Sequence, residues 1–135
     1  MRVLVIDGQG GSIGRQLCKA IRERFPTDEI RAVGTNSAAA ANMLKGGADE
    51  AATGENAVVV GCRWADVIVG TIGVVIADAL LGEVTPAMAA AVGQSSALRI
   101  LVPMNRCNTF VAGVQTASTA DLLEDVLRKL SQFES

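Results

Sequence analysis

The chain has 135 residues, half of them apolar and 3 % aromatic, with 12 basic against 14 acidic side chains and neither histidine nor tyrosine. That length suits a single domain over residues 1–135, able to bury about two-thirds of its unfolded surface without disulfide or metal staples. A net charge of −2 with scattered Lys and Arg offers no field for a nucleic-acid partner, and no apolar run reaches the length of a membrane span.

The N-terminus enters a strand at once, without the charged, apolar and small-residue zones of a secretory signal, so a cytoplasmic location is expected. Val3 to Ile6 read as that first strand, followed by Asp7-Gly8-Gln9-Gly10-Gly11-Ser12-Ile13-Gly14 and a helix that carries Leu17, Ile21 and Phe25 at helical spacing and stops before Pro26. A second strand, Glu29 to Val33, leads through Gly34-Thr35-Asn36 into an alanine-rich helix ended by Gly46-Gly47. Ala48 to Ala52 read as a third strand, then Thr53-Gly54-Glu55-Asn56 opens a helix through Val58 and Cys62. Asp66 to Val69 form the fourth strand. The apolar run Val74 to Leu81 fits either extended chain or a helix closed by Gly82, and helix is the preferred reading. Thr85-Pro86 starts the next helix, with threonine as N-cap and proline at the first helical position. Leu98 to Val102 and Phe110 to Val114 read as fifth and sixth strands, before a C-terminal helix opened by Ser118 or Thr119 with Leu122, Leu123, Val126, Leu127 and Leu130 on one face.

Strands that alternate with helices predict a three-layer αβα Rossmann-like sandwich around a mainly parallel sheet of five or six strands. Strand-to-helix loops then share the carboxyl edge, where ligands of open α/β sheets bind. A strand, a glycine turn and a helix start make an anion site, because glycine permits close approach while the free N–H groups and helix dipole attract negative charge. The plain alternative is a tight turn without a ligand.

The glycine spacing matches G-x-G-x-x-G at Gly8 and Gly10, with Ile13 at the third position, and matches the short-chain dehydrogenase pattern at Gly8, Ile13 and Gly14. Candidate nucleotide-binding residues are Asp7, Gly8, Gln9, Gly10, Gly11, Ser12, Ile13 and Gly14, then Thr35, Asn36, Thr71, Asn105 and Arg106. NAD and NADP are both candidate cofactors. The neutral Gly34-Thr35-Asn36, where nicotinamide-binding folds place an acid, counts against NAD, and Thr35 and Asn36 offer donors to a 2′-phosphate. Arg106 offers a guanidinium clamp for phosphate or carboxylate, or is an ordinary surface arginine.

Any catalysis must use Asp, Glu, Lys or Cys, and the candidates are Cys107, Glu55 and Asp7. Cys107 is a reactive thiol if Arg106 lowers its pKa, and otherwise a small buried filler. Glu55 is a general base, or simply a favourable charge at a helix start. Cys18, Cys62 and Cys107 lack C-x-x-C spacing and are expected as free thiols, with no metal site. Cys18 and Cys62 read as helix packing, Met43 and Met88 as core.

Taken together, Ile6-Asp7-Gly8-Gln9-Gly10-Gly11, Gly34-Thr35-Asn36, Ala52-Thr53-Gly54-Glu55-Asn56, Leu81-Gly82-Glu83 and Asn105-Arg106-Cys107 resemble a family of short bacterial Rossmann-like proteins known as a domain of unknown function. The resemblance spans nearly the whole chain and implies a bacterial cytosolic protein without bringing an activity. Three functions compete. The leading one is a sensor or regulatory module that binds a small-molecule nucleotide or dinucleotide. The second is an enzyme on a small substrate. The third is a ligand-free structural homo-oligomer, suggested by the apolar stretches Ser37 to Met43 and Val74 to Leu81; an oligomer is compatible with all three.

Overall fold

A computed structural model describes residues 1–104 and 107–134. Its elements, in order, are β1 (Arg2–Asp7), α1 (Ser12–Arg24), β2 (Glu29–Gly34), α2 (Ser37–Gly46), β3 (Glu50–Thr53), α3 (Glu55–Trp64), β4 (Val67–Thr71), a single 3-10 turn (Ile72–Val75), α4 (Pro86–Gln94), β5 (Leu98–Val102) and α5 (Thr119–Glu134). The five strands form one all-parallel sheet in the order β3-β2-β1-β4-β5. This is the Rossmann order, and the chain reverses direction across the sheet between β1 and β4.

The apolar half of the composition is spent on covering both faces. Val3 and Val5 of β1, with their partners Val67 and Val69 of β4, face a core closed by Leu17 and Ile21 of α1, Met43 of α2 and Leu127 and Leu130 of α5. Leu4, Ile6, Val33 and Ile68 face the opposite core, closed by Val58 of α3, Val84, and Met88 and Val92 of α4. Central strands buried on both faces therefore read as unbroken apolar runs, as parallel strands do. Cys18, Cys62, Met43 and Met88 all lie buried in these cores.

At the amino edge of the sheet Arg31 of β2 lies over the Trp64 ring, its guanidinium carbon 4.1 Å from the ring centroid, while its Nε donates to Glu50 of the edge strand at 2.8 Å. The pair shields the exposed flank of β3 with charge and an aromatic plane.

Two expected elements are absent. Phe110 to Val114 is not a strand: the segment is coil and turn, with Phe110 82 % exposed. A parallel sixth strand would need a crossover of about a dozen residues, and only residues 103–109 separate it from β5. The chain goes into α5 instead. The run Val74 to Leu81 is not a helix either. After the 3-10 turn it becomes a compact loop with left-handed backbone at Asp78, Leu80, Leu81 and Gly82, closed by Asp78 N–H to Val84 O at 2.7 Å. Its burial is irregular, with Val74, Ala79, Leu80 and Val84 inside and Leu81 98 % exposed, so tertiary packing of scattered residues overrides a pattern that only loosely fits a helix.

Candidate functional site

β1 ends at the carboxyl edge with Asp7, which is 2 % exposed. Its carboxylate accepts from the Gly8 amide at 2.8 Å and from the Gly14 amide at 2.7 Å. The N-cap of α1 is Gly11, which has no side chain to cap with, so Asp7 caps the helix from the preceding strand. Burial pushes the Asp7 carboxyl above its ordinary value, and the two amides, Gly14 then Gly8, pull it back in part.

Most of the glycines here answer to the protein's own packing. A Cβ at Gly8 would lie 2.6 Å from Thr35 Oγ1 and 2.7 Å from Leu80 Cδ1; at Gly14 it would meet Met43 Sδ at 2.6 Å; Gly11 sits at φ +73° against the Ala39 backbone at 2.7 Å. Gly10 differs. Nothing lies within 4 Å of its Cβ position and its φ is outside the left-handed range, so no packing requirement accounts for it.

The amides of this loop divide into two sets. Those of Gly8, Gln9, Gly11 and Gly14 donate to Asp7, Glu83, the Gly8 carbonyl and Asp7 respectively. Those of Gly10, Ser12 and Ile13 donate to no atom among the described residues. The loop borders a cavity of about 210 Å³ lined by residues Asp7 to Ile13, Gln16, Met104 and Thr119. Thr119 is the first residue of α5, so two helix starts, each with its positive dipole end, face the same space. One strand over, Thr71 is fully buried and its hydroxyl has no hydrogen-bond partner among the described residues. It continues the Val67–Val69 face of β4, which places it beside Asp7. A buried unpaired hydroxyl is costly in a fold that does not use it.

Thr35 and Asn36 stand at the end of β2 as expected, but they are not free to receive a phosphate. Thr35 Oγ1 donates to Glu83 Oε1 at 2.7 Å and Asn36 Nδ2 donates to the same oxygen at 2.8 Å, where the Gln9 amide also arrives at 2.8 Å. Asn36 spends its remaining capacity on the Gln9 carbonyl and on capping α2 through the Ala39 amide. Burial works to raise the Glu83 carboxyl, but the Gln9 amide and the Thr35 and Asn36 side chains outweigh it and hold it below its ordinary value. Glu83 was not singled out as a site residue in the sequence. It lies in an irregular loop at no periodic position, and the sequence drew attention to it only within Leu81-Gly82-Glu83, one of the segments of the family resemblance.

Glu55 accepts from Thr85 Oγ1 at 2.6 Å at the start of α3 and is not part of the cavity wall. Cys107 is exposed rather than a buried filler, in the segment after β5, and also lies outside the cavity wall. Burial pushes the Cys18 thiol up to about 12 and the Cys62 thiol up to about 11, which keeps both protonated and inert at neutral pH. Asn105 and Arg106 lie outside the described residues. Among the described residues no helix is long and apolar enough to cross a membrane, and no group of three or more Cys, Asp or Glu side chains is placed to hold a metal ion. The larger cavity, about 640 Å³, runs between α3 and α4 past Val59, Cys62 and Ala91, and none of the described candidate residues lines it. The apolar stretches that suggested an oligomer are absorbed in part: Ala39, Ala40, Met43, Val74, Ala79 and Leu80 are in the chain's own cores, while Ala38, Ala41, Ala77 and Leu81 are exposed.

Strand order, glycine loop and helix starts define a Rossmann-type domain with a small anion-sized cavity at its carboxyl edge. The chain belongs to the family described as domain of unknown function (DUF3842), whose model matches residues 2–135. Among solved structures it is similar to a dodecameric FMN-dependent UbiX-like decarboxylase from Escherichia coli O157:H7, at 16 % identity and a TM-score of 0.45, covering 100 % of this chain and 95 % of that one. No curated protein matches the chain.

Proposed function

We propose that this domain binds the phosphate of a nucleotide at the amides of Gly10, Ser12 and Ile13, and that it works in the cytoplasm as a sensor or regulatory module. The observation that carries this reading is the set of three loop amides without an acceptor among the described residues, opening on a cavity that two helix starts face. The cavity of about 210 Å³ falls below the roughly 300–1,000 Å³ usual for enclosed ligands. It suits a phosphate and part of a sugar, with the base on the surface, better than an enclosed dinucleotide. A binding role is favoured over catalysis because each Asp7 oxygen is already engaged in holding a loop amide, while Glu55 and Cys107 lie outside the cavity wall.

The test is Gly10→Val. Open space at the Cβ position predicts a melting temperature close to that of the parent, while added bulk in the cavity wall should weaken binding of AMP and of inorganic phosphate at least about tenfold by calorimetry. In the parent, AMP at a hundred times its dissociation constant should add about 2.7 kcal/mol of stability. Unchanged binding in the variant, or no stabilisation of the parent by either compound, would overturn the reading.

A further inference from the structure

Nicotinamide-binding folds carry, at the end of the second strand, an acid that accepts hydrogen bonds from the ribose hydroxyls. Here that position is neutral, and an acid arrives from elsewhere: Glu83, brought over from the loop before α4. One oxygen, Oε1, is saturated by three donors from the glycine loop and the end of β2. The other, Oε2, has no hydrogen-bond partner among the described residues, and the side chain is half-buried, so this oxygen is left for something outside the fold. Gln9 connects the two parts of the edge. Its amide holds Glu83 while its residue lines the phosphate cavity, and Gly10, whose amide has no acceptor among the described residues, is one residue, about 3.8 Å of chain, further on.

From this juxtaposition we infer that Glu83 determines the ligand class, accepting the hydroxyls of a ribose attached to the bound phosphate and rejecting a second phosphate on that ribose. The inference rests on the phosphate-binding reading above. An ionised carboxylate is purely an acceptor, so it rewards hydroxyl donors and repels a second anion. Thr35 and Asn36, the donors that would otherwise receive a 2′-phosphate, are consumed in holding Glu83 in place. The class selected is a nucleoside 5′-phosphate with free ribose hydroxyls.

Calorimetric titration of inorganic phosphate, AMP, 2′-deoxy-AMP and adenosine 2′,5′-bisphosphate tests this. AMP should bind about tenfold more tightly than either modified nucleotide. In Glu83→Gln the amide oxygen can still accept the three donors while the charge is gone, and the preference over the bisphosphate should fall to within about threefold. Equal affinity for AMP and the bisphosphate in the parent overturns the inference whether or not the variant folds, as does a preference that survives Glu83→Gln; in both cases phosphate and AMP binding still stand. Failure of both phosphate and AMP to bind overturns the phosphate site and this inference together.

Discussion

Asp7 and Glu83 are two acids whose surroundings push them in opposite directions. Asp7 is buried behind the loop and its pKa rises; Glu83 is held by three donors and its pKa falls. Their work is nevertheless the same, because each satisfies loop amides that would otherwise be orphaned. The Asp7 contribution is open to direct measurement. In Asp7→Asn one oxygen becomes an NH2 group that must face either the Gly8 or the Gly14 amide, donor against donor, and the capping of α1 is half lost. Urea denaturation should show a loss of about 1–3 kcal/mol with little change in slope. A variant as stable as the parent would mean that Asp7 does not hold the loop.

Among the helices that begin at the carboxyl edge, α2 and α4 are capped from their own N-cap positions, by Asn36 and Thr85, whereas α1 borrows Asp7. Thr85 accepts from the Met88 amide at 3.1 Å and donates to Glu55, so it ties the start of α4 to the start of α3. Thr85→Ala should cost about 1–2 kcal/mol in denaturation experiments. The cap at Thr85-Pro86 was legible in the sequence because capping is local chemistry, written in one or two residues, whereas Asn36 was read there as a donor to phosphate and not as a cap. The strands were legible because burial on both faces leaves continuous apolar runs. What escaped was long-range. Nothing near Glu83 in the sequence announces Gln9 or Thr35 as its partners, more than forty positions away. Phe110 to Val114 looks like a strand by composition, and only the shortness of the connection from β5 excludes it. For the site, the glycine loop was found by its flanking strand and helix, whereas its division into occupied and free amides depended on side chains from distant segments.

At the scale of the whole molecule, stability should depend on pH through acids with shifted titration. Asp49 is held below its ordinary value by the Ile30 amide and by Arg22, and Glu83 by its three donors. A carboxyl depressed in the fold stabilises it above the unfolded pKa, and that contribution is lost as pH falls through the folded value. Asp7 runs the other way: raised in the fold, its contribution is present below the unfolded pKa and lost as pH rises through the folded one. Denaturation midpoints followed downward from pH 7 should therefore fall for the parent and fall less for Glu83→Gln; an equally steep acid limb in the variant would remove Glu83 from the set. Such measurements have a convenient reporter. The lone tryptophan, Trp64, sits under Arg31 at the end of the sheet opposite the glycine loop, and the chain has no tyrosine. Its fluorescence is thus a clean signal of unfolding and a poor one of ligand capture, so a titration that leaves the emission spectrum unmoved carries no information about whether the loop is occupied.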